Sequence, residues 1–192
     1  KETVFDYDND GNDTPNENPT RLMRRKIERG FTYNAAGDVI ACEYITTLDY
    51  NDKGQVLWID GPLPGDQDKI TFAYDAVTGD LLQQTLPLSG TVSYTYDDAG
   101  NVATITDLNN IVTTITYDGR NRPLSVTRNG IATALTYTAA GEVDEITDAL
   151  NRVLDYVYNP AGFLERIVDP NGNYTFNDYN TLGQLIEASI YN

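Results

Sequence analysis

One short phrase, Tyr-[Asp/Asn/Thr]-x-x-Gly, recurs through this 192-residue chain and limits what it can fold into. It runs from Tyr33 to Gly37, Tyr50 to Gly54, Tyr96 to Gly100, Tyr137 to Gly141, Tyr158 to Gly162 and Tyr179 to Gly183. Two variants fill the gaps: Tyr74 to Gly79 carries one extra residue, and the phrase that starts at Tyr117 has Asn121 where glycine is expected. Tyr7 to Gly11 is an outlying copy. From Tyr33 onward, successive tyrosines are separated by 17, 24, 22, 21, 20, 21 and 21 residues. A period of this size marks stacked structural units, each too small to bury an apolar face alone.

The residues between the phrases favour strands. Thr, Val, Ile and Tyr dominate in Thr91–Tyr96 and Ile111–Tyr117, and such side chains suit a pleated, half-buried surface. The Ala-rich stretch Thr138–Gly141 is too short for a helix. Asn129-Gly130, between two apolar runs, predicts a type I′ hairpin turn. In the unit that starts at Gly141, a strand to Asp148, a turn through Arg152 and a returning strand to Tyr158 make a hairpin. The expected fold is all-β: a meander of antiparallel β-hairpin repeats of about 21 residues, forming a curled or spiral single sheet with almost no helix. Residues 1–30 read as an atypical acidic N-terminal repeat or edge segment, and 31–192 as an array of about eight repeats.

Two spacings bear on packing. Tyr94 and Tyr96, like Tyr156 and Tyr158, are two apart and point to one face of a strand. After each glycine, however, apolar residues come three apart, as in Val102 and Ile105, Val143 and Ile146, or Leu164 and Ile167. On a flat strand these would face opposite ways, so either a bulge corrects them or both faces are partly buried.

The units resemble the YD repeat of the RHS (rearrangement hot spot) family. Tyr94-Thr-Tyr96-Asp97-Asp-Ala-Gly100, followed by Val102, Ile105 and Asp107, fits its template. So does Tyr156-Val-Tyr158-Asn-Pro-Ala-Gly162, followed by Leu164, Ile167 and Asp169. The resemblance covers the chain from about residue 31 onward, with Tyr33, Gly37, Tyr50, Gly54, Tyr74, Gly79, Tyr96, Gly100, Tyr117, Tyr137, Gly141, Tyr158, Gly162, Tyr179 and Gly183 as the repeat signature. It implies a strip of hairpins that spirals into a hollow shell. In bacterial polymorphic toxins and insecticidal toxin complexes such a shell encloses a toxic C-terminal segment, and in teneurin-like proteins it forms an adhesive barrel. The Pro-rich closing stretch of the family, which ends in Asp-Pro-x-Gly-Leu, has no counterpart here, since Asp169-Pro170-Asn171-Gly172 sits in an ordinary turn and lacks the Leu. The expectation is therefore a piece of a longer shell or a short relative of one, secreted or at the surface of a bacterium. Lys1 in place of Met fits a processed or excised chain.

Composition narrows the partners. With 29 acidic and 13 basic residues the formal charge is -16, which opposes binding to nucleic-acid phosphates. No apolar run is long enough to span a bilayer as a helix, so no membrane insertion is expected. The chain has no histidine, which removes Ser-His-Asp and Cys-His catalysis, and its lone cysteine, Cys42, reads as a small packing residue. No carboxylate pair stands out for glycoside chemistry. The reading is of a non-catalytic scaffold without a cofactor, whose partners are neighbouring repeats of a longer parent chain or a self-associating copy, with an enclosed toxin domain or a glycan as further ligands.

Two features keep other readings open. Asp6, Asp8, Asp10, Asp13 and Glu17 have the alternating oxygens of a twelve-residue calcium loop, with Gly11 at its sixth position. Against it, Asp13 stands where an apolar residue normally packs, and Pro15 interrupts the loop. The insertion Gly61–Asp68 lies near Tyr44, Tyr50 and Trp58, aromatic rings of the type that stack on sugars, which makes a carbohydrate- or protein-binding adhesion module the alternative.

Overall fold

The computed structural model describes residues 2–7, 22–87 and 90–192. Among these residues there are sixteen β-strands and no α-helix. Strand order follows chain order from first to last, each strand antiparallel to its described neighbours. Two compact units divide the chain, residues 1–94 and 95–192. The first holds β1 (Glu2–Asp6), β2 (Arg25–Tyr33), β3 (Val39–Tyr50), β4 (Val56–Asp60), β5 (Ile70–Tyr74) and β6 (Leu81–Leu86). β7 (Gly90–Tyr96) runs across the boundary. The second unit holds β8 (Val102–Thr106), β9 (Val112–Tyr117), β10 (Pro123–Arg128), β11 (Ile131–Tyr137), β12 (Val143–Thr147), β13 (Val153–Tyr158), β14 (Leu164–Val168), β15 (Tyr174–Tyr179) and β16 (Leu185–Tyr191).

The recurring phrase is a turn with a built-in side-chain cap, as Asn51–Gln55 illustrates. The Gly54 N–H donates to the Asn51 carbonyl, and the Asn51 N–H donates to the Gln55 carbonyl, both at 2.9 Å. The Asn51 Oδ1 accepts the N–H groups of Lys53 and Gln55 at 3.0 Å each. The side chain thus satisfies backbone donors that the reversal leaves without strand partners. Gly54 takes φ 79°, a left-handed conformation that costs an L side chain about 1–2 kcal/mol. The same hydrogen bonds recur at Asp97, Asn159 and Asn180.

The opposite ends of several hairpins use this turn too. Asp107, Asp148 and Asp169 cap reversals in which Asn110, Asn151 and Gly172 take φ 59°, 57° and 88°. Asn121, at φ 61°, occupies the glycine position after Tyr117 because asparagine tolerates this region better than other L residues do. At Asn129-Gly130 both residues have positive φ, 51° and 76°, and Arg128 faces Ile131 across a two-residue type I′ turn.

The three-residue apolar spacing is resolved by a bulge. Tyr137 faces Val143 and Leu135 faces Ile146, so Asp144 and Glu145 oppose the single residue Thr136. The extra residue brings Val143 and Ile146 to the face shared by Leu135 and Tyr137. The shift repeats where Tyr158 faces Leu164 and Tyr156 faces Ile167, and where Tyr50 faces Val56 and Leu48 faces Ile59.

Opposed residues share a face, so register defines two chemically distinct surfaces in the second unit. One carries the tyrosines and aliphatic residues. The other is rich in hydroxyls: Thr95 meets Thr104 at 2.6 Å, and Thr116 meets Ser125 at 2.7 Å. β9 and β11 alternate accordingly, with Ile115, Tyr117, Leu135 and Tyr137 half-buried and Thr114, Thr116, Ala134 and Thr136 exposed. Little is fully enclosed; Ile27 is the one buried hydrophobic residue among those described. Among the described residues, the chain leaves Phe31, Leu150, Leu182 and Ile190 largely exposed. Its apolar surface is only partly withdrawn from water.

Candidate interaction surface

The tyrosines fasten neighbouring strands by a polar clasp, each reaching from the end of one strand to the start of the strand before it. Tyr158 donates its hydroxyl to the Val143 carbonyl at 2.9 Å, and Tyr179 donates to the Leu164 carbonyl at 2.8 Å. Tyr117 reaches the carbonyl of Val102, Tyr137 that of Pro123, and Tyr74 that of Val56. Each of these acceptors lies two residues past the left-handed residue of the preceding turn. The ring packs on the sheet while its hydroxyl satisfies a carbonyl at the strand's start. Burial raises the pKa of Tyr158, an effect that Glu142 and Asp144 reinforce, and burial raises Tyr74 as well. Tyr50 donates to the Met23 carbonyl at 2.7 Å, and its pKa is raised by burial against the opposing pull of Arg24. Tyr96, also in the repeat signature, ends β7.

A second set of contacts joins one turn to the next, and it involves residues that the sequence reading passed over. In five places the residue after a turn's left-handed residue lies against the left-handed residue of the following turn. Gln55 donates through Nε2 to the Gly79 carbonyl at 2.7 Å. Asn101 donates through Nδ2 to Asn121 Oδ1 at 3.0 Å, so the asparagine that replaces glycine meets a matching amide. A Cβ added at Gly141 would lie 3.6 Å from Arg122 Nη1, and one at Gly162 would lie 3.9 Å from Glu142 Oε1. A Cβ at Gly183 would come within 2.5 Å of the Phe163 ring, which stacks on Tyr179 with centroids 5.1 Å apart. Glycine serves both the turn's φ and this close approach. No single repeat advertises the rule, because the residue after glycine changes from copy to copy. Comparing the chemistry of adjacent copies, Asn101 against Asn121 above all, was the available clue.

The turn carboxylates are held ionised. Asp118 is lowered to about 2, first by the Arg122 backbone N–H and then by the Arg122 side chain, which it meets through Oδ2 at 2.6 and 2.8 Å. The Arg122 guanidinium also lies 4.0 Å above the Tyr137 ring. Asp97 and Asp169 are lowered chiefly by the side-chain amides of Asn101 and Asn173, and Asp148 by the Arg152 side chain. Backbone N–H groups lower Asp107, with Ile111 the largest contributor, and Asp75, with Thr78 the largest. Glu142 is lowered by the Thr138 hydroxyl.

The other sequence candidates do not converge. Asp8, Asp10, Asp13 and Glu17 of the calcium loop lie outside the described residues. Asp6 ends β1, buried, with Arg25 Nη1 3.8 Å from its Oδ2. Trp58 faces Asp49, so it lies on the opposite face of the sheet from Tyr50 and Tyr44. Lys69 Nζ sits 4.9 Å over the Trp58 ring, while Tyr44 is exposed on the far side. The three aromatics therefore form no common platform. Cys42 is half-buried opposite Gly30.

Comparison with known proteins agrees with this geometry. Residues 74–112, which contain the clasp phrase of Tyr74, the phrase of Tyr96 and the start of β9, match the family described as RHS Repeat. The chain carries an RHS repeat. No curated protein sequence matches it. Among solved structures, the crystal structure of TcdB2-TccC3-TEV has 17% identity and a TM-score of 0.55 over 88% of this chain and 11% of that one. TcdB2-TccC3 has 16% identity and a TM-score of 0.51 over 87% of this chain and 12% of that one. The Photorhabdus luminescens Tc holotoxin pore has 16% identity and a TM-score of 0.51, with 87% and 11% covered. The chain thus spans about a ninth of the length of the structures whose fold it shares. A hairpin array accounts for the clasp and the turn contacts as one repeated construction, of which residues 74–112 match the RHS Repeat.

Proposed function

We propose that this RHS array is a structural wall: a strip of a β-shell that encloses a toxic polypeptide segment in a secreted bacterial toxin complex. The observation that carries this reading is the repeated clasp from tyrosine hydroxyl to backbone carbonyl, which ties strand to strand in both units. It is supported by the exposed apolar side chains, among them Phe31, Leu150 and Leu182, which a cover would bury. The fold shared with Tc toxin structures agrees with it. In this role the array works through shape and continuity, and no side chain acts on a substrate. The glycan-binding alternative has weaker support, because Trp58 and the two tyrosines near it lie on opposite faces.

The test is limited proteolysis of the polypeptide that carries this array together with its toxic segment. With the array intact, the segment should resist proteinase K under native conditions. The double substitution Gly141→Val and Gly162→Val, at two left-handed positions, should expose it to cleavage. Equal resistance in both proteins, with the array shown to be disrupted by circular dichroism, would overturn the enclosure reading.

A further inference from the structure

β3 has 12 residues and its neighbour β4 has 5, and the difference leaves a bare edge inside the strand order. β4 pairs with β3 only over Thr47 to Tyr50. After Asp60 the chain leaves the sheet for the insertion Gly61–Asp68, whose Pro62 and Pro64 have no N–H to give a ladder. On its other side β3 is paired with β2 from Thr47 back to Val39. Among the described residues, therefore, no strand pairs with Val39–Ile45 on the β4 side. Both neighbours of β3 are present, so this edge comes from the shortness of β4. The stretch reads Val-Ile-Ala-Cys-Glu-Tyr-Ile, rich in side chains that suit strands. Its one charge, Glu43, is held by Arg29 Nε at 2.7 Å. Val39, Ile40, Ala41 and Tyr44 are exposed. Edges are ordinarily blunted by lysine, proline or a bulge, and this stretch has none of the three. An unguarded edge of this kind is a template for a further strand.

We propose that Val39–Ile45 is a dimer interface, at which two copies of this chain join their β3 edges antiparallel about a two-fold axis at Cys42. The occupant is a second copy because the stretch is complementary to itself. A two-fold pairing sets the same patch against its own reverse. Centred on Cys42, it uses the whole stretch and places Ile40 opposite Tyr44 of the second copy and Val39 opposite Ile45, apolar against apolar in all four places. Centred on Glu43, it would set two carboxylates face to face. Centred on Ala41, it would oppose Val39 to Glu43 and leave Tyr44 and Ile45 without partners. The centre itself is uncrowded: Gly30 lies opposite Cys42 on β2, and even a Cβ added there would stay 3.9 Å from Cys42 Sγ. The result is one continuous sheet in the strand order β2-β3-β3-β2, with the bare edge of each copy paired. This goes beyond the scaffold reading and does not rest on it.

The test uses the full 192-residue chain in sedimentation velocity over a range of concentrations. A reversible dimer is expected, and salt should strengthen it, because each copy carries a formal charge of -16. Ile40→Lys, at an exposed position, should weaken association by about tenfold or more while circular dichroism shows the fold unchanged. The register is read by crosslinking with diamide, which takes up two electrons and two protons as two thiols form one S–S bond. Opposed residues lie about 4.5–5.5 Å apart at Cα, within disulfide range. Cys42 should therefore link to Cys42 of the second copy. In a Cys42→Ser background, a chain with Ile40→Cys mixed with a chain with Tyr44→Cys should link, and either alone should link about tenfold more slowly. A chain that stays monomeric throughout overturns the proposal. So does a dimer indifferent to Ile40→Lys, in which the copies meet elsewhere. Linkage of position 40 to itself as fast as to position 44 overturns it too, because the pairing would have another centre.

Discussion

The hairpin β2–β3 and the hairpin β11–β12 start from the same phrase and end with opposite outcomes for their tyrosines. In β11–β12 the bulge opposite Thr136 brings Leu135, Tyr137, Val143 and Ile146 to one face, and the Tyr137 hydroxyl reaches the Pro123 carbonyl at 2.7 Å. In β2–β3 pairing runs without a shift from Arg25–Thr47 to Tyr33–Val39. Val39 and Tyr50 are an odd number of residues apart on β3, so Tyr33 points away from the face that Tyr50 occupies. Tyr33 is 73% exposed and Phe31 77% exposed, and among the described residues the Tyr33 hydroxyl makes no hydrogen bond. The tyrosine is therefore a clasp only when a bulge places it. The phrase fixes the turn, and one extra residue beyond the turn decides the face.

This contrast can be broken or sharpened by substitution, with unfolding followed in urea. The largest expected effect is Tyr158→Ala, which removes a half-buried ring and its bond to Val143 and should cost about 3 kcal/mol, while Tyr33→Ala should cost under about 0.5 kcal/mol. Equal losses would mean that the bulge does not govern the tyrosine's contribution. Next come the turn glycines. Gly37 and Gly183 have φ 88° and 75°, so alanine at either carries a backbone cost of about 1 kcal/mol. At Gly37 no atom lies within 4 Å of an added Cβ, whereas at Gly183 the Phe163 ring is in the way. Gly183→Ala should therefore be the worse by about 1 kcal/mol, and the double variant with Phe163→Ala should lose that difference. Tyr158→Phe, which keeps the ring, should cost about 1 kcal/mol, with Tyr33→Phe neutral.

The smallest expected effect is one of pH. Asp118 has a folded pKa of about 2, below its unfolded value, so the stability it contributes is complete above the ordinary carboxylate range and is lost as pH falls toward about 2. Asp97, Asp107, Asp148 and Asp169 are shifted the same way in the second unit, while the capping residues of the first two turns, Asn34 and Asn51, do not titrate. Asp118→Asn should flatten the fall in stability between about pH 4 and about pH 2, since asparagine caps the same turn at Asn51 and Asn159. An unchanged acid limb would show that the cap carries no pH dependence.

Much of this architecture can be read in the sequence, because turn chemistry is local. Tyr-[Asp/Asn]-x-x-Gly needs only its own backbone to form, and Asn129-Gly130 states its turn type outright. The spacing of Val143 and Ile146 left two solutions open, and register settled on the bulge. The candidate surface was harder to see. Which carbonyl a tyrosine reaches, and which turn Gln55 or Phe163 touches, depends on the placement of the neighbouring hairpin, and these contacts cross a whole repeat. The separation of Trp58 from Tyr44 and Tyr50 was likewise hidden, because nearness along the chain says nothing of face until the bulge after Val56 is counted.

The reach of the tyrosine clasp has a consequence for how such arrays change length. Tyr158 finds its acceptor fifteen residues back, at Val143, and Tyr179 does the same at Leu164. A duplicated stretch of one period would bring donor and acceptor together in the same copy of the gene segment. Units could then be gained or lost by recombination without redesigning any distant partner, so that the extent of the array becomes a property evolution adjusts one rung at a time.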